Sequence, residues 1–450
     1  MRLARVAAAA MLTAVSQCAA PPSAYAVSPP PIDNTRLPAP APPAPPQPTV
    51  QREVCAVPAF DPERTATQLD GLDLPAVWPL TRGTGQRIAV IDTGVAPHRR
   101  LPGLVGGGDY VSIGDGTRDC DGHGTMVAGI IAATPDLGTD GFSGVAPEAT
   151  VLAIRQSSTK FGTVSEPSRT GVGDVDTLAK AVRTAADLGA SVINISSVAC
   201  LPAAAEPDDR ALGAALAYAV DVKNAVVVAA AGNTGDDEQC PAQDGETGWH
   251  NATVAVSPAW YDDYVLTVGS VDADGAPSAF TLAGPWVDVA APGEAVLSLS
   301  PVGDATANTV GEQHGSEPII GTGYAAPVVS GLAALIRSRF PSWTPRQVMD
   351  RIKASAHHPP GGRDGFVGAG VVDPLAAVST DAPLPIGRQG PAAVAAPITP
   401  PPAPATEPAG RRAALTGAAA LLTVLLLTLS GRAVTVRLRR LGRGEHVPGG

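Results

Sequence analysis

Between residues 65 and 378, short apolar runs alternate with longer amphipathic stretches. Runs that are continuous in Val, Ile and Ala are typical of parallel strands covered on both faces. They predict strands at Arg87–Ile91, Thr150–Arg155, Ser191–Ser196, Ala225–Ala230 and Val265–Val268. The amphipathic stretches predict helices at Gly124–Ala133, Val175–Leu188, Asp209–Val222, Ala325–Phe340 and Pro345–Ser355. This alternation predicts a three-layer α/β domain with a mainly parallel sheet.

The N-terminal segment has the features of a secretory signal peptide. Arg2 and Arg5 precede an apolar run, and Ala24-Tyr25-Ala26 is a small-x-small cleavage site, so we predict removal of residues 1–26. Residues 27–64 form a Pro-rich extension that cannot bury a core of its own. We expect Cys55 to tie the end of this extension to the domain.

The C-terminal part predicts a membrane anchor. Residues 379–412 are rich in Pro and Ala and suit a stiff stalk, and residues 413–431 contain no charge. A helix over that stretch would measure about 28 Å, enough to cross a bilayer core. Residues 432–450 carry five Arg and predict a cytoplasmic tail. We therefore expect a single-pass cell-membrane protein whose domain lies outside the cytoplasm.

The charge distribution argues against nucleic-acid binding. The whole chain has a net charge of −11, and the segments 1–26 and 411–450 together contribute +8, which leaves −19 for residues 27–410. A domain this acidic is a poor candidate for a nucleic-acid partner.

Four cysteines remain once Cys18 is removed with the signal peptide. An even number in an exported chain favours disulfides, and no Cys-x-x-Cys motif or Cys/His cluster suggests a metal site. Four cysteines allow three pairings, of which we favour Cys55–Cys120 and Cys200–Cys240. No carboxylate cluster is spaced well enough to predict calcium, and we expect neither metal nor cofactor.

Three motifs carry candidate chemistry. Asp92 ends a buried strand, His123 lies in Asp121-Gly122-His123-Gly124-Thr125, and Asn233 follows a Gly at the end of another strand. Each alone is as well explained by a turn or a structural hydrogen bond. They are followed by Gly321-Thr322-Gly323-Tyr324-Ala325-Ala326-Pro327, which predicts a tight turn that opens a buried helix with Pro327 in its first turn.

In this order the motifs resemble those of the subtilisin-like serine proteases, over residues 65–378. More narrowly the chain resembles the mycosins, membrane-anchored subtilases associated with type VII secretion. That match rests on the signal peptide, the Pro-rich extension, the four cysteines, the stretch 258–268, and the stalk with its apolar segment.

The resemblance assigns a role to each motif. Asp92 would orient His123, His123 would act as general base and acid, and Asn233 would donate to the oxyanion. The strand leading to Ser196 and Ser197 would pair with an extended peptide of the substrate.

The chain departs from this family at the nucleophile, because Gly323 stands where the family has Ser. Without a side chain there, His123 has no hydroxyl to deprotonate and no acyl-enzyme can form. Thr322, Ser330 and Ser316 are the nearby hydroxyls in the sequence, and none of them is well placed to substitute.

These observations lead to three hypotheses. We favour a pseudoprotease that serves as a structural or peptide-binding part of the secretion membrane complex and contacts extended segments of secreted proteins. The alternative is an active serine endopeptidase that cleaves secreted substrates, if Gly323 is a sequence error or another Ser serves. The third is an anchored α/β domain without a peptide site, which the joint presence of Asp92, His123 and Asn233 disfavours.

Overall fold

The structure, a computed structural model, describes residues 27–136, 138–205, 208–235, 240–246, 248–311 and 317–379. The predicted signal peptide (1–26), the stalk beyond Ser379, the predicted membrane span (413–431) and the tail (432–450) lie outside these residues. Within the described ranges, no helix is long and apolar enough to cross a membrane.

Fifteen strands and seven α-helices make up the described part of the chain. The strands are β1 (Thr49–Gln51), β2 (Arg87–Asp92), β3 (Leu104–Asp109), β4 (Thr150–Arg155), β5 (Phe161–Thr163), β6 (Val192–Ile195), β7 (Ala199–Pro202), β8 (Val226–Ala230), β9 (Val254–Ser257), β10 (Val265–Val271), β11 (Val287–Pro292), β12 (Ser298–Leu299), β13 (Thr306–Ala307), β14 (Thr309–Val310) and β15 (Glu317–Pro318). The helices are α1 (Leu74–Val77), α2 (His123–Ala132), α3 (Val175–Asp187), α4 (Arg210–Ala217), α5 (Thr322–Arg339), α6 (Pro345–Ser355) and α7 (Pro374–Val378). Short 3₁₀ turns occur at Asn34–Arg36, Asp70–Leu72 and Ala203–Ala205.

Seven of the strands form one sheet in the order β11-β10-β8-β6-β2-β4-β3, and every neighbouring pair in it is parallel. Helices cover both faces. Along β2, Ile88 and Val90 face the core formed with α2, α5 and α6, while Ala89 and Ile91 face the core formed with α3 and α4. The three-layer α/β domain with a parallel sheet is therefore confirmed.

Two details of the prediction are wrong. Helix α5 begins at Thr322, so Pro327 is its sixth residue and lies beyond the first turn, where it cannot donate to the carbonyl of Gly323. The stretch predicted as one helix over Asp209–Val222 is an α-helix only to Ala217, and residues Tyr218–Val222 form a π-helical turn.

The extension lies along the surface of the domain. Both favoured disulfides, Cys55–Cys120 and Cys200–Cys240, are present. Strand β1 of the extension pairs antiparallel with β5, and the amide of Ala59 donates to the carbonyl of Thr309. The first disulfide therefore fastens the extension to the loop that leads into α2.

Helix α5 is buried from Thr322 to Ile336 and packs on the sheet and on α2. Such close packing requires a glycine at one position, because a Cβ added to Gly331 would lie 2.6 Å from Cβ of Val145. Ser330 ties the same turn to β6 by donating to Asn194 Oδ1 at 2.8 Å.

We predict that Gly331→Ala lowers the free energy of unfolding by about 1–3 kcal/mol through overpacking. Helix propensity alone would raise it by about 1 kcal/mol, so the sign of the change separates the two effects. Chemical denaturation measures it. Gly71→Ala is the matched control, since a Cβ there meets no atom within 4 Å, and an equal loss in both variants would contradict the packing argument.

Candidate active site

The first and last residues of two elements bring Asp92 and His123 together. Asp92 ends β2 at the carboxyl edge of the sheet, and His123 is the first residue of α2. His123 Nδ1 donates to Asp92 Oδ1 at 2.7 Å, and the amide of Thr93 donates to the same oxygen at 2.7 Å. This fixes the imidazole with its Nε2 directed away from Asp92.

The surroundings of His123 favour its protonated form. Burial lowers the pKa of His123, but the charge and hydrogen bond of Asp92, together with the charges of Asp119 and Asp121, outweigh it and hold the pKa above 6.5. The ring of Tyr324 lies on the other side of the imidazole, with centroids 4.7 Å apart. His123 is thus an oriented base that carries its proton to a higher pH than a free histidine.

Gly323 lies directly in front of this base. It is the second residue of α5, and a Cβ built on it would lie 3.0 Å from His123 Nε2 and 3.1 Å from the carbonyl oxygen of Ser196. Gly321, which precedes the helix, has a φ of 147° that favours glycine. Position 323 is therefore where a serine hydroxyl would meet the imidazole, and the hydroxyl is lacking.

The alternative hydroxyls that the structure describes are engaged elsewhere. Thr322 Oγ1 donates to Asn233 Oδ1 at 2.7 Å and accepts from the amide of Gly232. Ser330 is fully buried and is bonded to Asn194. Ser316 lies outside the described residues.

Asn233 is held in a defined orientation by the turn. Its Oδ1 accepts from the amide of Thr322 at 3.0 Å as well as from the Thr322 hydroxyl. Its Nδ2 is left on the side of Gly321, 3.3 Å from where a Cβ of that glycine would be. This amide and the backbone N–H of Gly323 have no partner among the described residues. Together they form a pair of donors suited to an oxyanion.

Ser196 and Ser197 lie directly after β6. Residues 196–198 follow β6 and, in the described part of the chain, pair with no other strand. The Ser196 side chain accepts from Asn194 Nδ2 at 2.9 Å and is 9% exposed, so its hydroxyl is occupied. The open backbone ends in front of Gly323, as peptide pairing would require.

Sequence reasoning missed Asp119, which organises the turn before α2. It accepts from Thr93 Oγ1 at 2.9 Å, from the amide of Gly122 at 2.8 Å, and from the amide and hydroxyl of Thr125 at 2.8 and 2.7 Å. Burial raises the pKa of Asp119 to about 6, against these hydrogen bonds and together with the charge of Asp92. Asp119 lies three residues before the N-cap residue Gly122, so the usual capping position does not indicate it.

No group of three or more His, Cys, Asp or Glu side chains in the described ranges is arranged to hold a metal ion.

Comparison with known proteins identifies the family of the chain. The sequence model of the subtilase family matches residues 83–370. Mycosin-4 of Mycobacterium tuberculosis is 65% identical over 432 residues, which cover 94% of this chain and 94% of that protein. The chain belongs to the mycosins, within the subtilase family.

Other mycosins and their solved structures agree. Mycosin-1 of Mycolicibacterium smegmatis is 44% identical over 84% of this chain and 87% of that protein. The solved structure of MycP3 protease from the type VII (ESX-3) secretion system has a TM-score of 0.73 and 45% identity, covering 79% of this chain and all of that one. A chain of the periplasmic assembly from the ESX-5 inner membrane complex has a TM-score of 0.74 and 42% identity, covering 84% of this chain and all of that one.

We predict that Asp92→Asn lowers the pKa of His123. The substitution removes the charge that favours the imidazolium, whereas the burial that opposes it remains. An NMR titration of the histidine ring protons measures the shift. His98, whose pKa burial lowers, is the internal reference and is expected to stay unchanged; an unaltered His123 would contradict the assigned cause.

Proposed function

We propose that the chain is a mycosin-type pseudoprotease that serves as a structural or peptide-binding part of a type VII secretion membrane complex. The observation that carries the proposal is glycine at position 323, in front of an otherwise assembled Asp92–His123 pair. A base and oxyanion donors without a nucleophile hold a peptide better than they cleave it.

The loss is large in energetic terms. In subtilisin, removal of the serine alone lowers kcat about 10⁶-fold, which corresponds to roughly 8 kcal/mol of barrier. The two described hydroxyls nearest in the sequence do not replace it, since those of Thr322 and Ser330 are hydrogen-bonded to Asn233 and Asn194. Water remains as a nucleophile from which the His123 base can take a proton, and the oxyanion donors then support only a residual rate.

The partner is proposed from the relatives. One solved chain that resembles this one, at 40% identity over 91% of this chain, comes from an intact ESX-5 inner membrane complex. The disulfides suit an extracytoplasmic domain. The apolar segment 413–431 would anchor the chain once in the cell membrane, with the basic tail in the cytoplasm.

An active serine endopeptidase acting on secreted substrates is the second candidate. The intact hydrogen bond between His123 and Asp92, at 2.7 Å, and the oriented Asn233 favour it. It requires a serine from another part of the chain to reach His123.

The first test is labelling with a fluorophosphonate serine-hydrolase probe. We expect no labelling of the chain with Gly323 and labelling of Gly323→Ser, because the rest of the site is in place. A Cβ at residue 323 would lie 3.0 Å from His123 Nε2. The imidazole must therefore move by a few tenths of an ångström to accommodate the serine.

Gly323→Ala is the matched control for the added bulk and is expected to remain unlabelled. His123→Ala combined with Gly323→Ser should abolish the labelling that the serine restores. Labelling of the unaltered chain would contradict the pseudoprotease and support the second candidate.

The second test concerns the membrane complex. We predict that deletion of residues 410–450 removes the chain from the detergent-extracted secretion complex and reduces secretion, because the predicted anchor is lost. Asp92→Ala should leave both unchanged if the role is purely structural. Full secretion by the truncated chain would contradict a structural role in the membrane complex.

A further inference from the structure

The absence of a side chain at residue 323 opens a small space in the site. The space lies between His123 Nε2 and the carbonyl oxygen of Ser196, the two atoms that a Cβ on Gly323 would approach at 3.0 and 3.1 Å. In a subtilase with serine, the hydroxymethyl group fills it. Here no side chain fills it, so a ligand oxygen can take the place of the serine oxygen.

Three hydrogen-bond donors lie in and around this turn, and none of them has a partner among the described residues. His123 Nε2 and the backbone N–H of Gly323 border the space directly, and Nδ2 of Asn233 lies 3.3 Å from where a Cβ of Gly321 would be. The Gly323 amide also stands at the start of the 18-residue helix α5, where the helix dipole favours negative charge. Unpaired donors on both sides of one small space suit a group with two anionic oxygens.

The charges around His123 limit the ligand to a small anion. Asp92 from β2 and Asp119 and Asp121 from the loop before α2 act on the imidazole, and the uncharged ring of Tyr324 packs against it from α5. These carboxylates raise the pKa of the histidine and repel a multiply charged ligand. A single carboxylate pairs with one imidazolium and does not bring the larger charge of a phosphate group.

The backbone beside the space indicates where the anion comes from. Residues 196–198 continue from the end of β6 without pairing to another described strand, and the carbonyl oxygen of Ser196 lies in front of Gly323. A peptide paired there in the direction of a protease substrate would place a main-chain carbonyl carbon at the space. The anion that fits at this point is the end of the peptide itself.

We infer that the site binds the free C-terminal carboxylate of an extended peptide. One oxygen accepts from Asn233 Nδ2 and the Gly323 amide, and the other takes the place of the missing serine oxygen and accepts from His123 Nε2. The inference rests on the proposed function and specifies the ligand of its peptide-binding site. Binding in this way requires glycine at residue 323, because a serine oxygen would occupy the position of the second carboxylate oxygen.

The test compares two peptide pools on the full-length chain. N-acetylated hexapeptides with randomised residues are synthesised once with a free C-terminal carboxylate and once with a C-terminal amide, and retention is quantified by mass spectrometry. At pH 6 we expect the acid pool to be retained about tenfold or more over the amide pool. The ratio should fall towards one as the pH rises through the His123 pKa, because the imidazolium is lost.

Two variants test the assigned atoms. His123→Gln removes the charge, and Gly323→Ala puts a methyl group into the space without adding a nucleophile; both should bring the acid pool down to the amide level. His250→Gln, at an exposed histidine in the turn after Gly248, should keep the full preference. Thermal unfolding of each variant shows whether it is folded.

Each result decides something. Equal retention of the two pools would overturn carboxylate recognition and leave a peptide-binding pseudoprotease standing. Retention of neither pool would overturn the inference and restrict the proposed function to a structural role. Cleavage of the amide pool would contradict the pseudoprotease itself.

Discussion

Helix α5 lies buried on the sheet and against α2, and this packing sets the height of its first turn above the carboxyl ends of the strands. Ser330 bonds to Asn194 of β6 in the middle of the helix, and Gly331 allows Val145 to approach it. The first turn can neither slide nor rotate without breaking these contacts. The position of residue 323 in front of His123 is therefore determined by the core and does not depend on a side chain at that residue.

Most of the fold could be predicted because the central strands are continuous apolar runs with helices between them. The strands of the sheet that were not predicted have a local reason. Strand β3 contains Gly106-Gly107-Gly108, a sequence typical of a turn, and only pairing with β4 makes it a strand. Strand β11 carries the buried Asp288, which receives a hydrogen bond from the amide of Thr267. Tertiary contacts override the local pattern in both cases.

The candidate site was predictable where residues end parallel strands or begin helices, since these ends meet at one edge of the sheet. Asp92, His123 and Asn233 are of this kind. The contribution of Asp119 was not, because it depends on a turn that brings Thr93 and Thr125 to one carboxylate. A side chain that acts by hydrogen bonding to residues distant in the sequence produces no recognisable sequence motif.

Two residues of the site, Asp92 and Asn233, also stabilise the fold. Asp92 is buried, with one oxygen that receives no hydrogen bond from a described residue, so loss of its His123 partner would leave a poorly compensated buried charge. Asn233 Oδ1 likewise satisfies the amide at the start of α5, a group that would otherwise lack a partner. These two residues are therefore expected beside Gly323 with or without proteolysis.

Folding does not in the same way require the second polar atom of Asn233 and of His123, which are Nδ2 and Nε2. An aspartate could accept from the amide of Thr322 as Asn233 does, yet its carboxylate would present no donor to the space. His123 satisfies Asp92 through Nδ1, and a smaller donor would do so without a second nitrogen directed at Gly323. Nδ2 of Asn233 and Nε2 of His123 therefore go beyond the needs of folding. Two donors beside the unpaired backbone of residues 196–198 suit the binding of a peptide and do not require a nucleophile.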